Sequence, residues 1–426
     1  MALQICVGAG WAGLAAAVKA TQDGHQVTLF ESARTPGGRA RSVGVTGPDG
    51  TPLLLDNGQH ILIGAYTDTL SLMRTAGVDP DAALLRLPLT LRFPDGTGIR
   101  CPHAPAPFDA LAGILGAKGW QWRDKWSLLK ASLGWQRAGF VCPPHVSVAD
   151  LCSSLTARVR NEMIDPLCVS ALNTPAAQAS GQVFLRVLQD ALFGVSGGSH
   201  LLLPRVDLGA LFPDAALRWL AAHGAHTVLG KRVQSIQPQP DQTWRVDGEV
   251  FDQVVLACSP QEASRLVAGS GVGTAAAAQW VAQADALRFE AITTVYATSA
   301  TVAQTPLAQP MLALRNTAAL PAQFVFDRGQ LGSPRGMLAF VISACEGDRA
   351  WLERQVCAQA AEQLGLQDVQ PLQTVVEKRA TFACTPGLVR PPMDVAPGLR
   401  VCGDYIEGPY PATLEGAVRS GQAAAT

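Results

Sequence analysis

The chain holds ten cysteines but no CxxC pair. They are scattered from Cys6 to Cys402, mostly in apolar stretches, where free thiols behave as small hydrophobes. Reduced, unpaired cysteines are expected, with neither a redox pair nor a zinc ribbon. His223 and His226 form an HxxH, yet no carboxylate or thiol pattern completes a metal site, so the pair reads as a helix end and no metal is expected. Charge is scarce too: 16% of residues are charged, the formal net charge is −1, and no Lys/Arg block occurs. That leaves no electrostatic footprint for nucleic acid. No uncharged apolar run reaches the roughly 18–20 residues that span a bilayer. Ile5–Val18 is nearly all apolar or glycine, but Met1–Gln4 carries no basic residue and the glycines recur at fixed spacing, which argues against a secretory leader. The expected location is the cytoplasm or the inner face of the cytoplasmic membrane.

What is present is apolar mass. Of 426 residues 48% are apolar, with a mean hydropathy of +0.16. A large core and two to three domains are expected. Leu3–Val7 reads as a strand, Gly8–Gly13 as a glycine turn, Leu14–Thr21 as helix and Gln26–Phe30 as a second strand, a β-α-β unit of the usual size. Strand patterning returns at Ala225–Leu229, at Arg232–Ile236, at Trp244–Val246 facing Val254–Ala257, and at Leu399–Cys402. A helix over 275–287 and strands at Ala291–Ala297 and Met337–Ser343 occupy a later block. The expected class is α/β (α+β overall). A discontinuous Rossmann-like domain (1–80, 211–261 and 386–426) is interrupted by a mixed α/β substrate domain (81–210 and 262–385).

Gly8-Ala9-Gly10-Trp11-Ala12-Gly13 is the strongest motif. A GxGxxG alone is weak, but this one leaves a strand, opens a helix and precedes Glu31 at the end of the next strand. Gly8 permits the tight turn, Gly10 lets a pyrophosphate approach, and Gly13 lets helix and sheet pack closely. Trp11 and Ala12 place the helix N-terminus, whose free N–H groups and dipole favour an anion. Glu31 is placed to accept hydrogen bonds from a ribose. A second glycine pair, Gly37-Gly38, is followed by Arg39, a charge-assisted phosphate donor. One decoy also stands out: Gly194-Val195-Ser196-Gly197-Gly198 fits GxSxG. That elbow must leave a strand and enter a helix, whereas Val183–Phe193 reads as helix and Leu201–Pro204 as extended.

The GGRAR loop, the Gly403-Asp404 pair and the closing stretch from Thr413 through Leu414, Glu415, Gly416 and Ala417 to Gly421 resemble the flavin amine oxidase and phytoene desaturase superfamily. The resemblance implies an amine-oxidase-like fold and FAD. Asp404 would bind ribityl hydroxyls, and the helix starting near Thr413 would face the pyrimidine carbonyl where negative charge grows on reduction. Val233 would meet the adenine through its backbone. Within that superfamily, LDNGQHILIGAY (55–66), DPLCVSALNTP (165–175), LLLPRVDLGALFPDAALRWL (201–220), EKRATFACTPGLVRPP (377–392) and GDYIEGPYPATLEGAVRSG (403–421) resemble the hydroxysqualene dehydroxylase family. That implies reductive removal of an allylic hydroxyl from hydroxysqualene on a bacterial route to squalene and hopanoids, downstream of prenyl synthases. The hydroxyl would leave as water and hydride from N5 of reduced FAD would quench the carbon. Gly58 would approach the ring, with Gln59 and His60 bordering the reaction space. His60, Asp56, Tyr410 and Glu407 are the candidate acids, and Asn173 is a candidate substrate contact against the alternative of a helix-ending turn before Pro175. Two oxidative alternatives stay open: a carotenoid or polyprenyl desaturase, and an amine oxidase. The latter wants an aromatic cage, for which only Tyr405 and Tyr410 among four tyrosines lie in a suitable segment.

Phe108–Phe140 carries Trp120, Trp122, Trp126 and Trp135, interleaved with Lys118, Arg123, Lys125, Lys130 and Arg137. Tryptophan with basic residues and leucine suits a membrane interface, and an inward-packed helical subdomain suits the same composition.

Overall fold

The structure is a computed structural model that describes residues 2–47, 50–105, 107–344 and 347–426, with Phe193 described by its backbone alone. Cys345 lies outside the described residues, and the other nine cysteines are free.

Three distant stretches of chain build one sheet. Its strand order is His226–Leu229, Gln26–Glu31, Leu3–Val7, Gln253–Leu256, Leu399–Val401, Asp394–Ala396. The first five run parallel and the last turns back antiparallel. Leu3–Val7 and Gln253–Leu256 sit at the centre as near-continuous apolar runs, as strands covered on both faces must. Helix Trp11–Gln22 covers one face and packs against the C-terminal helix Leu414–Ala425. The contact is close, because a Cβ on Gly421 would lie 2.1 Å from the Ala12 carbonyl oxygen.

A second, antiparallel sheet follows the order Met311–Ala313, Phe324–Asp327, Met337–Ser343, Phe289–Thr298, Gln370–Phe382. Its two longest strands, Phe289–Thr298 and the edge strand Gln370–Phe382, reach the loop after strand Pro52–Asp56. A small sheet of Leu62–Ile63, Leu201–Pro204 and Leu84–Leu87 carries the far side of that loop.

Two strand expectations are corrected. Arg232–Ile236 is irregular, and only Ile236–Pro238 is a strand. The Asp247 carboxylate accepts the backbone N–H groups of Gln234 and Ser235, and Arg265 donates to the Val233 and Gln234 carbonyls, so side chains replace the ladder. Trp244–Val246 does not face Val254–Ala257. It turns at Asp247-Gly248 and pairs with Glu249–Phe251, while Gln253–Leu256 enters the parallel sheet. The GxSxG stretch follows helix Gly181–Phe193 and precedes strand Leu201–Pro204, the reverse of an elbow. His223 caps helix Pro213–Ala222, and His226 opens the next strand.

Candidate flavin and substrate site

Glycine geometry builds the nucleotide end. At Gly8 φ is +115°, and a Cβ there would lie 2.6 Å from the Ala257 carbonyl oxygen. At Gly13 a Cβ would lie 1.8 Å from the Gly8 carbonyl oxygen, which fixes how closely the helix leaves the turn. Gly10 is different: its nearest neighbour would be the Gly38 Cα at 3.9 Å. Gly10 and Gly37 form a parallel bridge, and Gly37 N–H donates to the Ala9 carbonyl at 2.8 Å. The two glycine loops therefore meet face to face with only backbone between them. Trp11, almost wholly buried, ties the seam by donating Nε1–H to the Ala40 carbonyl at 3.0 Å.

The helix that starts there has no side-chain cap. Leu14 is the first residue whose N–H bonds back, to Gly10, and the N–H groups of Trp11, Ala12 and Gly13 have no partner among the described residues. Buried donors of this kind need an acceptor, and a pyrophosphate fits both the donors and the side-chain-free crevice. Glu31 lies behind them: its carboxylate accepts Ala9 N–H at 2.6 Å and Ala33 N–H at 2.7 Å, with lone pairs left for ribose hydroxyls. Val233 is buried, its carbonyl is held by Arg265, and its N–H has no described partner, as an adenine contact requires. Arg265 is locked in turn by Glu262, whose carboxyl the guanidinium groups of Arg232 and Arg265 pull down to about 2. The chain's residues fit FAD at this end.

At the other end, Thr413 caps helix Leu414–Ala425, accepting Gly416 N–H at 3.0 Å. Leu414 and Glu415 N–H remain without a described partner. Ala412 sits just before the cap at φ +57°, a strained conformation for alanine of the sort found at ligand sites. The buried Glu415 side chain reaches the next helix and accepts the N–H groups of Asp68 and Thr69 at the start of Thr67–Thr75. A Cβ on Gly416 would lie 1.9 Å from the Tyr410 carbonyl oxygen, and Ala417 is buried in the core.

Arg39 departs from the simple phosphate reading. Its Nη2 donates to Asp404 at 2.5 Å and its Nη1 to the Ala380 carbonyl at 2.7 Å. It thus joins the glycine loop to the Gly403-Asp404 turn and to the second sheet. Asp404, the expected ribityl ligand, is buried in the same ion pair.

The DNGQH loop lies where these parts converge. Asn57 N–H donates to the Arg41 carbonyl, while its side-chain amide donates to the Arg39 carbonyl at 3.1 Å and to Glu377 at 2.9 Å. Gly58 has φ +139°, and a Cβ there would lie 3.8 Å from both the His60 ring and Thr294 Oγ1. His60 Nδ1 lies 2.9 Å from the Gly58 carbonyl oxygen, which in the neutral ring makes Nδ1 the donor and leaves Nε2 a free acceptor. Burial, reinforced by Arg39, holds the His60 pKa below its ordinary 6.5 despite the bond to Gly58. Near neutral pH the ring therefore rests neutral.

Asp56 is buried beneath the loop. Oδ1 accepts Leu208 N–H at 2.8 Å and Oδ2 lies 3.5 Å from Arg328. Burial pushes its carboxyl up to about 6, against the pull of Arg328 and of Leu208 N–H. Arg328 also donates to Gln59 Oε1 at 3.1 Å, and Tyr296 donates to the Asp56 carbonyl at 3.0 Å. Thr294, Tyr296, Arg328 and Glu377 come from the second sheet or its connections and were not identified from the sequence. Glu377 alone had a signal, since it opens one of the resembling stretches.

Asn173 ends helix Asp165–Leu172 at φ +46°, so the turn reading holds. Its amide nitrogen donates to Thr381 at 3.0 Å, and its buried Oδ1 has no partner among the described residues. Tyr410 stands apart: no hydrogen bond, ion pair or ring contact links it to His60 or Asp56. The Arg419 guanidinium lies over its ring, 4.6 Å from the centroid, and burial and Asp190 raise its hydroxyl pKa. Glu407 is exposed. Tyr405 is buried and donates to the Cys258 carbonyl at 3.2 Å, a poor position for one wall of an aromatic cage. No group of three or more His, Cys, Asp or Glu among the described residues is arranged to hold a metal ion.

Comparison with known proteins places these features. Residues 11–426 match the model of the flavin containing amine oxidoreductases. A hydroxysqualene dehydroxylase of Zymomonas mobilis is 27% identical over 100% of this chain and 98% of its own. One from Rhodopseudomonas palustris is 25% identical over 98% and 96%. Among solved structures, an oxidoreductase from Methanosarcina mazei superposes with a TM-score of 0.70 over 99% of both chains at 16% identity. Cyclohexylamine oxidase from Brevibacterium oxydans gives 0.70 over 100% and 98%, also at 16%. At that identity the two structures speak for the fold alone.

Proposed function

Since this chain belongs to the flavin containing amine oxidoreductase family, and is an FAD-dependent oxidoreductase, we propose that its reaction is the reductive dehydroxylation of hydroxysqualene to squalene. The observation that carries this reading is end-to-end similarity to three relatives of that name, none of which leaves a part of the present chain unmatched beyond a few per cent. The reading assigns 1–80, 211–261 and 386–426 to flavin binding, and 81–210 and 262–385 to the substrate.

Trp11 to Gly13, Glu31, Val233 and Leu414 would hold the cofactor through the donors and acceptors described above, with Gly37 and Gly38 lining the crevice and Thr413 capping the helix that faces it. Bound and reduced, the flavin supplies a hydride. The chain's own task is to make the hydroxyl leave. It departs as water once it has taken a proton, and the C–O bond breaks to an allylic cation that bulk water must not reach. His60 is assigned the proton. Asp56 is committed to Leu208 and Arg328, and Tyr410 is set among Arg186, Asp190 and Arg419. His60 has a free Nε2, with Nδ1–H oriented by Gly58. Because the ring rests neutral, it must first gain a proton, and the reaction should quicken as pH falls. The C30 substrate dissolves in lipid and not in water, so the enzyme would meet it, and the prenyl synthases upstream, at the cytoplasmic face of a membrane.

The deciding test compares directions. Reduced, anaerobic protein given hydroxysqualene should yield squalene by gas chromatography and mass spectrometry. Oxidised protein that dehydrogenates phytoene or an amine, with no squalene from the reduced form, would replace this reading with an oxidative one.

A further inference from the structure

Helix Phe108–Leu115 has its apolar side outward. Phe108, Leu111, Ala112 and Leu115 recur at i, i+3, i+4 and i+7, the spacing of one helix face, and all four are exposed. Its buried residues are Asp109, Gly113 and Ile114. The next helix, Trp122–Arg137, carries two apolar stripes. Asp124, Leu128, Ala131 and Trp135 line the inward side, with Asp124 and Leu128 fully buried. Trp122, Trp126, Leu129 and Leu133 fall within about 60° of arc on the opposite side. Trp122 is 67% exposed, Trp126 58% and Phe108 64%. The helices pack on each other, and Lys125 Nζ donates to the Leu115 carbonyl at 2.5 Å across the joint. Exposed aromatic and leucine side chains on two joined helices are not the product of core packing.

The charges sort the same way. The acids of the segment are turned inward: Asp109 accepts Ser199 Oγ–H at 3.2 Å, and Asp124 accepts Gln121 N–H and Thr156 Oγ1–H at 2.8 and 2.7 Å. The bases are outward. Lys118, Arg123, Lys130 and Arg137 are exposed, and the last three line one edge of the outer stripe at seven-residue spacing. Of the tryptophans, Trp120 donates to Glu162 at 2.8 Å inside the core and Trp135 is half-buried, so only Trp122 and Trp126 are available outside.

We infer that these two helices form a monotopic docking surface for an anionic lipid bilayer. Phe108, Leu111, Leu115, Trp122, Trp126 and Leu133 enter the boundary between headgroups and acyl chains while the bases meet phosphate. Apolar side chains flanked by cations, with every acid withdrawn, complement such a surface. A protein partner of opposite shape would not require the acids to be hidden. No helix among the described residues is long and apolar enough to cross a membrane, so contact is by one face.

The test uses holoprotein and no substrate, so its outcome is independent of the reaction proposed above. Wild type should co-sediment with vesicles of mixed phosphatidylglycerol and phosphatidylcholine and only weakly with phosphatidylcholine alone. Trp122→Ala/Trp126→Ala should lower partitioning at least about tenfold, and Arg123→Gln/Lys130→Gln/Arg137→Gln should abolish the preference for anionic vesicles. Flavin content and melting temperature should be unchanged in both, since none of these side chains is buried. The inference is overturned if the tryptophan variant binds like wild type. It is equally overturned if wild type ignores anionic vesicles, or is a dimer that the tryptophan variant converts to monomer, which would make a second copy the occupant.

Discussion

At the scale of single residues, the loop that holds His60 rests on a buried pair. Asp56 and Arg328 are each at most 5% exposed at the side chain. Removing one partner of such a pair leaves a buried charge, which costs about 3–5 kcal/mol. Arg328→Met should therefore lower the urea midpoint sharply, and adding Asp56→Asn should recover part of the loss. The pair also has a pH signature. The folded pKa of Asp56, about 6, stands above its ordinary 3.8. A raised group stabilises fully below the unfolded value and loses that contribution as pH rises through the folded one. Denaturant midpoints should thus decline over that window in wild type, and the Asp56→Asn chain should lack the decline. His60 acts on rate. His60→Ala should keep its flavin yet lose at least about 100-fold in squalene formation. The wild-type rate should fall with rising pH through a group whose pKa lies below 6.5. A variant that loses its flavin instead would make His60 a cofactor contact and not an acid.

At the scale of elements, two glycines of one motif should fail in different ways. A Cβ at Gly10 meets nothing nearer than 3.9 Å, so Gly10→Ala should fold and melt as wild type does while FAD affinity drops at least about tenfold. At Gly13 the Cβ would strike the Gly8 carbonyl, so Gly13→Ala should destabilise the apoprotein by about 1–3 kcal/mol. Fluorescence titration of flavin beside apoprotein melting separates the two. This turn was legible in the sequence because its signal is local: strand, glycines, helix and Glu31 lie within 31 residues. The segment at Val233 was not. Its alternating pattern suggests a strand, but Arg265 and Asp247, distant in sequence, hold the backbone instead. Trp244–Val246 was assigned the wrong partner because Gly248 marks a turn without saying which following run returns. Arg328 and Tyr296 were illegible for the same reason at longer range, meeting Gln59 and Asp56 from well over 200 residues away.

At the scale of the whole molecule, the candidate site is a junction of chain segments that are far apart in sequence. The Arg39–Asp404 pair joins residues 365 apart, and the Asn57–Glu377 bond joins residues 320 apart. Arg39 and Asp404 stand out in the sequence through their glycine motifs, whereas the second sheet's share does not, since no local pattern says which face of a strand meets a distant loop. A ligand held by several segments stabilises by mass action, about 2.7 kcal/mol at a hundredfold excess over Kd. Apoprotein should therefore melt in a single transition that rises with added FAD. If reduced flavin supplies the hydride that replaces the hydroxyl, flavin and substrate must be consumed one for one. Flavin absorbance is followed anaerobically as hydroxysqualene is titrated into fully reduced holoprotein, and squalene is quantified at each point. One flavin reoxidised for each squalene formed is the expected result. A flavin that stays reduced while hydroxysqualene remains intact, or squalene formed without flavin oxidation, would contradict the account.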